Sequence, residues 1–357
     1  MATLATPGTL STAATDRARP RAVAAWLLAC CVLVFAMVVV GGVTRLTHSG
    51  LSIVEWQPIV GTLPPLSDAQ WQQAFDRYQQ TPEYKLVNAG MALDEFKRIF
   101  WWEYAHRLLG RLIGVAFLLP FLYFLVRRRI PDGYGWKLAG IFALGGAQGA
   151  LGWYMVRSGL VDDPRVSPFR LTAHLVLAFV IFAAMLWVAM TLLTTRDARD
   201  DARVRPARRW AIAVVALVTW MVVTGGFVAG IRAGFAYNTF PLMNGHVVPP
   251  EVLMLEPWWR NPFWNMATVQ LDHRIGAWLL TIVAPIAWWR VVRADLSPRA
   301  RIGAHLVLAM LGVQIALGIA TLLLVVPLPL AAAHQAGAVL LFALALHLWH
   351  ALRPQGA

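Results

Sequence analysis

Long apolar runs, each bounded by short polar or basic segments, recur eight times along the chain. They are Val23–Val43, Ala105–Leu125, Lys137–Val156, Leu171–Leu193, Trp210–Gly230, Leu271–Trp289, Ile302–Val326 and Ala331–Leu352. A helix needs about 20 apolar residues to cross the hydrocarbon layer, and each run has that length. The pattern predicts an all-α integral membrane protein of eight transmembrane helices. A long polar loop, 48–99, separates the first two runs. Within it, Ser67-Asp68-Ala69-Gln70 reads as a capping box opening a short helix near Ala69–Gln80. Leu93–Trp102 is expected to wind directly into the second run.

The runs fall into two copies of four. Gly41-Gly42 ends the first run and Gly225-Gly226 the fifth. His106-Arg107 opens the second and His273-Arg274 the sixth. Gln148-Gly149-Ala150-Leu151-Gly152 lies in the third and Gln314-Ile315-Ala316-Leu317-Gly318 in the seventh. Ala173-His174-Leu175 starts the fourth and Ala333-His334-Gln335 the eighth. The offsets are 184, 167, 166 and 160 residues, so order is kept while loops shorten. A copy with an even number of crossings returns to the side it left. The two copies are therefore expected to be parallel, related by a pseudo-twofold axis along the membrane normal. Residues 1–22 form an N-terminal tail, 23–195 and 210–352 the two four-helix bundles, and 196–209 the linker between them.

Charge sets the orientation. Arg17, Arg19 and Arg21 precede the first run. Arg127, Arg128, Arg129 and Lys137 join the second to the third, six Arg lie between Arg196 and Arg209, and Arg290, Arg293, Arg299 and Arg301 join the sixth to the seventh. All fall on one side. The positive-inside rule then places both termini in the cytoplasm and the 48–99 loop outside. The polar N-terminal tail runs into a full-length span and does not read as a cleavable signal peptide. Net charge is +13, yet 59% of residues are hydrophobic and 14% charged. With no basic-aromatic domain, this excludes a nucleic-acid partner and names membrane lipid instead. Trp101, Trp102, Trp258, Trp259 and Trp264 fit an outer aromatic belt. Cys30 and Cys31 adjoin in one helix and do not face each other.

Four of the nine histidines, His106, His174, His273 and His334, recur in register near the outer ends of even-numbered runs. Ionisable groups in a membrane usually face the bundle interior. Two repeated pairs, each drawn from two helices, point to paired metal ligation. Two His without further protein donors do not complete a zinc site, but they complete the axial pair of a haem iron. Gly110 and Gly114, and Gly145, Gly149 and Gly152, form small-residue faces. Such faces either let helices approach closely or make room for a flat macrocycle. Arg107 and Arg274 are candidate partners for haem propionates; the alternative is an Arg snorkelling to the interface. Glu103 lies three residues before His106, where the second copy has Gln270 before His273. A carboxylate beside only one pair suggests one site for proton-coupled chemistry and one for electrons, unless Glu103 is merely a solvated loop-edge group.

These residues resemble the haem A synthase family. The resemblance rests on Gly41-Gly42-Val43-Thr44-Arg45-Leu46-Thr47-His48-Ser49-Gly50-Leu51-Ser52, Trp56-Gln57-Pro58-Ile59, Pro64-Pro65-Leu66, Glu103-Tyr104-Ala105-His106-Arg107, Arg232-Ala233-Gly234, Asn238-Thr239-Phe240-Pro241-Leu242-Met243, Asp272-His273-Arg274 and His334-Gln335. It runs from about Gly41 to His350. It implies an oxidoreductase that converts a methyl group of haem O to a formyl group by successive hydroxylations, giving haem A for cytochrome oxidase. By likeness, His106 and His174 hold the substrate haem, His273 and His334 ligate a resident haem B, and Glu103 is the essential carboxylate. Haem O synthase and oxidase assembly factors are the partners it implies, and a homo-oligomer is compatible with it. Some members carry a cysteine pair in the first outer loop; this chain does not, which aligns it with the proteobacterial and mitochondrial branch. The competing reading is a two-haem b-type quinol oxidoreductase that modifies no haem; it explains the four His but not the Glu103/Gln270 difference.

Overall fold

A computed structural model of the chain describes residues 9–57, 60–161, 163–194, 204–294 and 296–353, with side chains from residue 20 onward and without that of Val60. Arg17, Arg19, Pro58, Ile59 and the linker arginines Arg196, Arg199 and Arg203 therefore lie outside the described side chains. The described residues form eleven α-helices and no strand. They are α1 (Thr9–Leu46), α2 (Asp68–Gln79), α3 (Pro82–Leu86), α4 (Leu93–Val126), α5 (Gly135–Arg157), α6 (Pro168–Leu193), α7 (Val204–Gly230), α8 (Asn261–Trp264), α9 (Met266–Arg293), α10 (Pro298–Leu323) and α11 (Leu328–Ala351).

Seven of these, α1, α4, α6, α7, α9, α10 and α11, are long and apolar enough to cross a membrane. Together with the family described below, this makes the protein a multi-pass membrane protein. Helix α5 has 23 residues and the length to cross, but its glycines and Gln148 dilute its hydropathy. Six of the eight predicted runs lie within a helix, and most helices extend beyond their run. Ile302–Val326 overruns α10, which ends at Leu323 before the left-handed Val325 and Val326, and Ala331–Leu352 overruns α11 by one residue. Helix α7 begins at Val204 rather than Trp210, taking Arg205, Arg208 and Arg209 out of the predicted linker. Pro206 is tolerated there because the first helical turn has no internal acceptor for its missing N–H. Helix α4 begins at Leu93 and runs unbroken through Trp102 into the apolar segment, as its sequence predicts. Ser297 and Asn265 cap α10 and α9 by accepting from Ala300 N and from Ala267 and Thr268 N, satisfying amides that a helix start leaves open.

Helices α1, α4, α5 and α6 pack in a ring, each against the next, and α7, α9, α10 and α11 pack in a second ring in the same order. The rings meet where α6 packs on α7 and α11, and α1 on α11. One apolar cluster runs through both rings, from Leu27 and Val34 on α1 to Phe342 and Leu346 on α11. Cys30 and Cys31 are buried there as free thiols.

Outside the rings, the 48–99 loop carries its own small aromatic core of Trp71, Phe75, Tyr78, Phe96 and Phe100. Ser67 Oγ accepts from Gln70 N at 3.3 Å, while Gln70 Oε1 accepts from Leu66 N at 2.6 Å. The capping box thus closes one residue earlier than its usual reciprocal bond to the N-cap amide.

Candidate functional site

The four repeated histidines enter from α4, α6, α9 and α11, and all four meet a glycine on a neighbouring helix. A Cβ built on Gly41 would lie 3.1 Å from His106 Nε2, and one on Gly225 would lie 3.3 Å from His273 Cε1. On the other side of each ring, a Cβ on Gly152 would come within 2.9 Å of His174 Cε1, and one on Gly318 within 2.9 Å of His334 Cε1. The imidazoles occupy space that any larger residue would fill. Within each ring the two His are close enough to feel one another's charge. No pair spans the two rings in this way. The structure thus brings together His106 with His174, and His273 with His334.

The glycine pairs have two tasks. Gly41 and Gly225 make room for the imidazole of their own ring. Gly42 and Gly226 face the other ring: a side chain on Gly42 would overlap the Gln335 amide of α11, and a Cβ on Gly226 would lie 2.8 Å from Thr172 Oγ1 of α6. Gln335 Nε2 also donates to Val38 O at 2.9 Å, tying α11 to α1. Packing on the α5 face is looser. Gly114, Gly145 and Gly149 have nothing within 4 Å of a built Cβ. They are exposed and do not serve a close helix contact.

Two glutamines have a role the sequence reading did not assign. Gln148 Nε2 donates to His174 O at 3.0 Å, and Gln314 Nε2 donates to His334 O at 2.9 Å. They hold the turn that carries each histidine. Their signal was present: both sit in the repeated Gln-x-Ala-Leu-Gly-like segments. Nδ1 of His174 and of His334 is buried with no hydrogen-bond partner. His273 differs, because Thr224 Oγ1 lies 2.9 Å from its Nδ1. The position equivalent to Thr224 in the first ring is Val40.

Glu103 is 3% exposed and is held by four hydrogen bonds. Ser52 Oγ and Ile53 N each donate to its Oε2 at 2.8 Å. Arg107 donates to its Oε1 through Nε at 3.1 Å and Nη2 at 2.7 Å. These fill the acceptor directions of a carboxylate. Arg107 also donates to Ile53 O and Glu55 O, so the Glu103–Arg107 pair staples the outer loop to α4. Gln270 and Arg274 form the same staple without charge. Arg274 Nη2 donates to Gln270 Oε1 at 3.0 Å and to the carbonyls of Tyr237 and Thr239, its Nη1 to Pro241 and Leu242, and Gln270 Nε2 donates to Ala233 O at 2.8 Å. Both arginines are occupied with loop carbonyls. Ser52 is a site residue that only the folded loop reveals, since it lies 51 residues from Glu103.

Glu83, on α3, is a second buried carboxyl near this end. Tyr78 Oη donates to its Oε2 at 3.3 Å. Burial pushes it up to about 7, with the Glu103 charge adding to the rise and Tyr78 and Arg232 opposing it. Among the described residues, no three His, Cys, Asp or Glu side chains converge as a metal cage; the donors come as histidine pairs.

The profile of the cytochrome oxidase assembly protein family matches residues 24–346. The heme A synthase of Nitrosospira multiformis is 63% identical over 334 residues, covering 93% of this chain and 94% of that protein. That of Nitrosomonas eutropha is 58% identical over 91% of this chain and 92% of its own length. That of Parvibaculum lavamentivorans is 48% identical over 94% and 95%. With this coverage and the repeated histidine pairs in place, the chain belongs to the haem A synthase family of cytochrome oxidase assembly proteins.

Proposed function

We propose that this chain is a haem A synthase, an oxidoreductase that converts a methyl group of haem O to the formyl group of haem A for cytochrome oxidase. The observation that carries the reading is the asymmetry between two otherwise matched histidine pairs: a clamped carboxylate, Glu103, stands one helical turn from His106, and the neutral Gln270 stands at the same place beside His273. A pair of permanent electron-transfer haems gives no reason for that difference.

The residues fit two haems. Each ring supplies two imidazoles from different helices, each imidazole packs against a glycine, and Nδ1 of His174 and His334 is buried without a protein partner. We assign His273 and His334 to a resident haem B, and His106 and His174 to the substrate haem. The resident haem supplies one-electron transfer when bound. Thr224, at His273 Nδ1, fixes the tautomer and orientation of that ring, leaving Nε2 for iron. Val40 leaves His106 without such a hold, which suits a site that must exchange its occupant.

Glu103 provides a fixed negative charge, neutralised by Arg107. Its oxygens are all engaged by donors. Of its donors, the Ser52 hydroxyl is the one that can rotate in place. The methyl carbon gains two hydroxyls in succession, and loss of water leaves the formyl group. Glu103 with Ser52 is the group placed to move protons for that dehydration.

We place the two rings as tandem four-helix bundles of an eight-span protein, α5 included, related by a pseudo-twofold axis along the membrane normal. Both termini lie in the cytoplasm, and the histidine pairs lie toward the outer face of the bacterial inner membrane. Haem O synthase and oxidase assembly factors are its partners. The test is haem extraction and chromatography on membranes that express this chain with a haem O-producing enzyme. Haem A appearing only when both are present is the expected result. Haem O accumulating without haem A, with haem still on the purified chain, would replace this reading by a two-haem electron carrier.

A further inference from the structure

Helices α1 and α7 leave their rings in the same way. His48 follows α1 and Arg232 follows α7, 184 residues apart, the same offset as the glycine pairs. Both adopt the left-handed backbone region, with φ of 54° and 58°. That conformation is uncommon for residues other than glycine and persists where the surroundings hold it. Here the two equivalent residues meet each other: Arg232 Nη2 donates to His48 Nδ1 at 3.0 Å. His48 accepts through Nδ1, so its imidazole is neutral; burial first, then Arg232 and Arg45, push its pKa down.

Arg45 completes the group. It lies within electrostatic reach of both Arg232 and His48. Two guanidiniums and an imidazole thus interact where the ends of α1 and α7 meet through the Arg232–His48 hydrogen bond. Among the described residues, no carboxylate forms an ion pair with Arg45 or Arg232; the carboxylates that do pair are Glu55, Asp94, Glu103 and Asp163, with other cations. Glu83 feels Arg232, but burial raises it to about 7. Gathering like charges costs free energy that an anion would recover.

The position says which anion. Arg45 is four residues beyond Gly41, hence on the same side of α1 and one turn further out. Gly41 is the residue that abuts His106. On the helical wheel, Arg45 falls between Gly41, which faces His106, and Gly42, which faces Gln335. The cation therefore stands over the outer margin of the His106–His174 site. Its equivalent in the second ring is Ala229. Arg107 and Arg274, by contrast, are engaged by Glu103 or Gln270 and by loop carbonyls, with Arg274 Nε alone buried without a partner.

We propose that Arg45 and Arg232, braced by His48, are the anchor for a propionate carboxylate of the haem held by His106 and His174. The proposal rests on the haem reading given above. A planar guanidinium fork matches a carboxylate. The same cations would also attract a lipid phosphate, so the experiment separates the two. Full-length chain purified from cells without haem O would be titrated with protohaem or with its dimethyl ester, which lacks both carboxylates, following the Soret band. Resident haem would be counted before the titration.

The wild-type protein is expected to bind added protohaem more tightly than the ester. Arg45→Gln and Arg232→Gln are expected to weaken protohaem binding by about 10- to 100-fold, to leave ester binding unchanged, and to keep the resident haem. Arg107→Gln, made as a comparator, is expected to preserve the preference for protohaem. Equal binding of acid and ester by the wild type, or equal loss of both in the variants, would overturn the anchor and leave a structural role. Loss of the resident haem instead would move the anchor to the other site. An unchanged preference in the variants, with reduced retention of phosphatidylglycerol, would assign the cations to lipid. Failure of the wild type to bind either porphyrin, with no resident haem present, would sink the underlying haem reading.

Discussion

In the first ring, His106 rests against Gly41, and the position before that glycine is Val40; in the second, His273 rests against Gly225, and Thr224 reaches its Nδ1 at 2.9 Å. Beside His106 is Glu103, clamped by four donors. Beside His273 is Gln270, clamped by Arg274 alone while it donates to a backbone carbonyl. Gly145 and Gly149 face open space on α5, where α10 carries Leu311 and Ile315 at the equivalent places. The histidines are matched, and their surroundings are not. The second ring holds its imidazole by a hydrogen bond. The first carries the charge and leaves its imidazole without that hold. On the proposed reading, two matched rings would then give one retentive and one exchanging site, because a histidine's orientation depends on neighbours that differ between the rings.

The largest effect should come from removing the histidines proposed to hold the resident haem. His273→Ala or His334→Ala should empty the purified protein of resident haem, whereas His106→Ala should leave that haem in place. A pyridine haemochrome assay of each variant checks this, and retention of resident haem after both second-ring changes would break the assignment of sites.

Glu103→Gln comes next. The Gln270–Arg274 staple shows that an amide can do the structural work of this carboxylate, so the variant should fold and keep its haem. Haem A output should fall by about 10²- to 10⁴-fold, the range of acid–base contributions. The reverse change, Gln270→Glu, should leave output within a few-fold of wild type. Chromatography of extracted haems reads both, and undiminished haem A from Glu103→Gln would remove the carboxylate from the chemistry.

Thr224→Val makes the second ring resemble the first. It should lower retention of resident haem by about 10- to 100-fold, as loss of an outer hydrogen bond to a metal-bound histidine does, with protein yield unchanged. Val40→Thr, its mirror, should slow haem release from the first ring. If neither exchange alters haem dissociation, the threonine is a packing residue.

The last effect is on stability, not on haem, and concerns the outer loop, which the second ring lacks in this form. Glu83 titrates near 4.5 in the unfolded chain and near 7 in the folded one. Between these values the folded state holds the extra proton. Its contribution is therefore most favourable at low pH and is lost as pH rises through 7. Glu83→Gln should abolish that slope and stabilise the loop above pH 7 by an amount on the order of 3 kcal/mol. Hydrogen exchange of Asp68–Leu86 as a function of pH measures it; a slope retained in the variant would assign the dependence to another group.

Local rules made much of this legible from the chain. Apolar runs of membrane length gave the long helices, because each helix must satisfy its own backbone in lipid. The runs marked helix interiors better than helix ends: α4 starts at Leu93 and α7 at Val204, where polar residues continue a helix beyond its apolar core. Helix α5 shows the reverse, a helix of full length whose glycines weaken its apolar signal. The four histidines and the Glu103/Gln270 difference were legible because duplication printed each twice, so that register separated them from the other five histidines.

What the sequence by itself determined, then, is periodic or repeated: helices, their order, and the histidine pairs. Only the tertiary structure decided the contacts that depend on loops folding back and helices meeting. It brought Ser52 and Ile53 onto Glu103, turned Arg107 and Arg274 toward loop carbonyls, set Thr224 on His273, and joined His48 to Arg232 across 184 residues. The physical reason is that hydrogen-bond partners far apart in sequence leave no period behind them. A side chain's role is settled by what lies within about 3 Å of it, and chain order does not encode that distance.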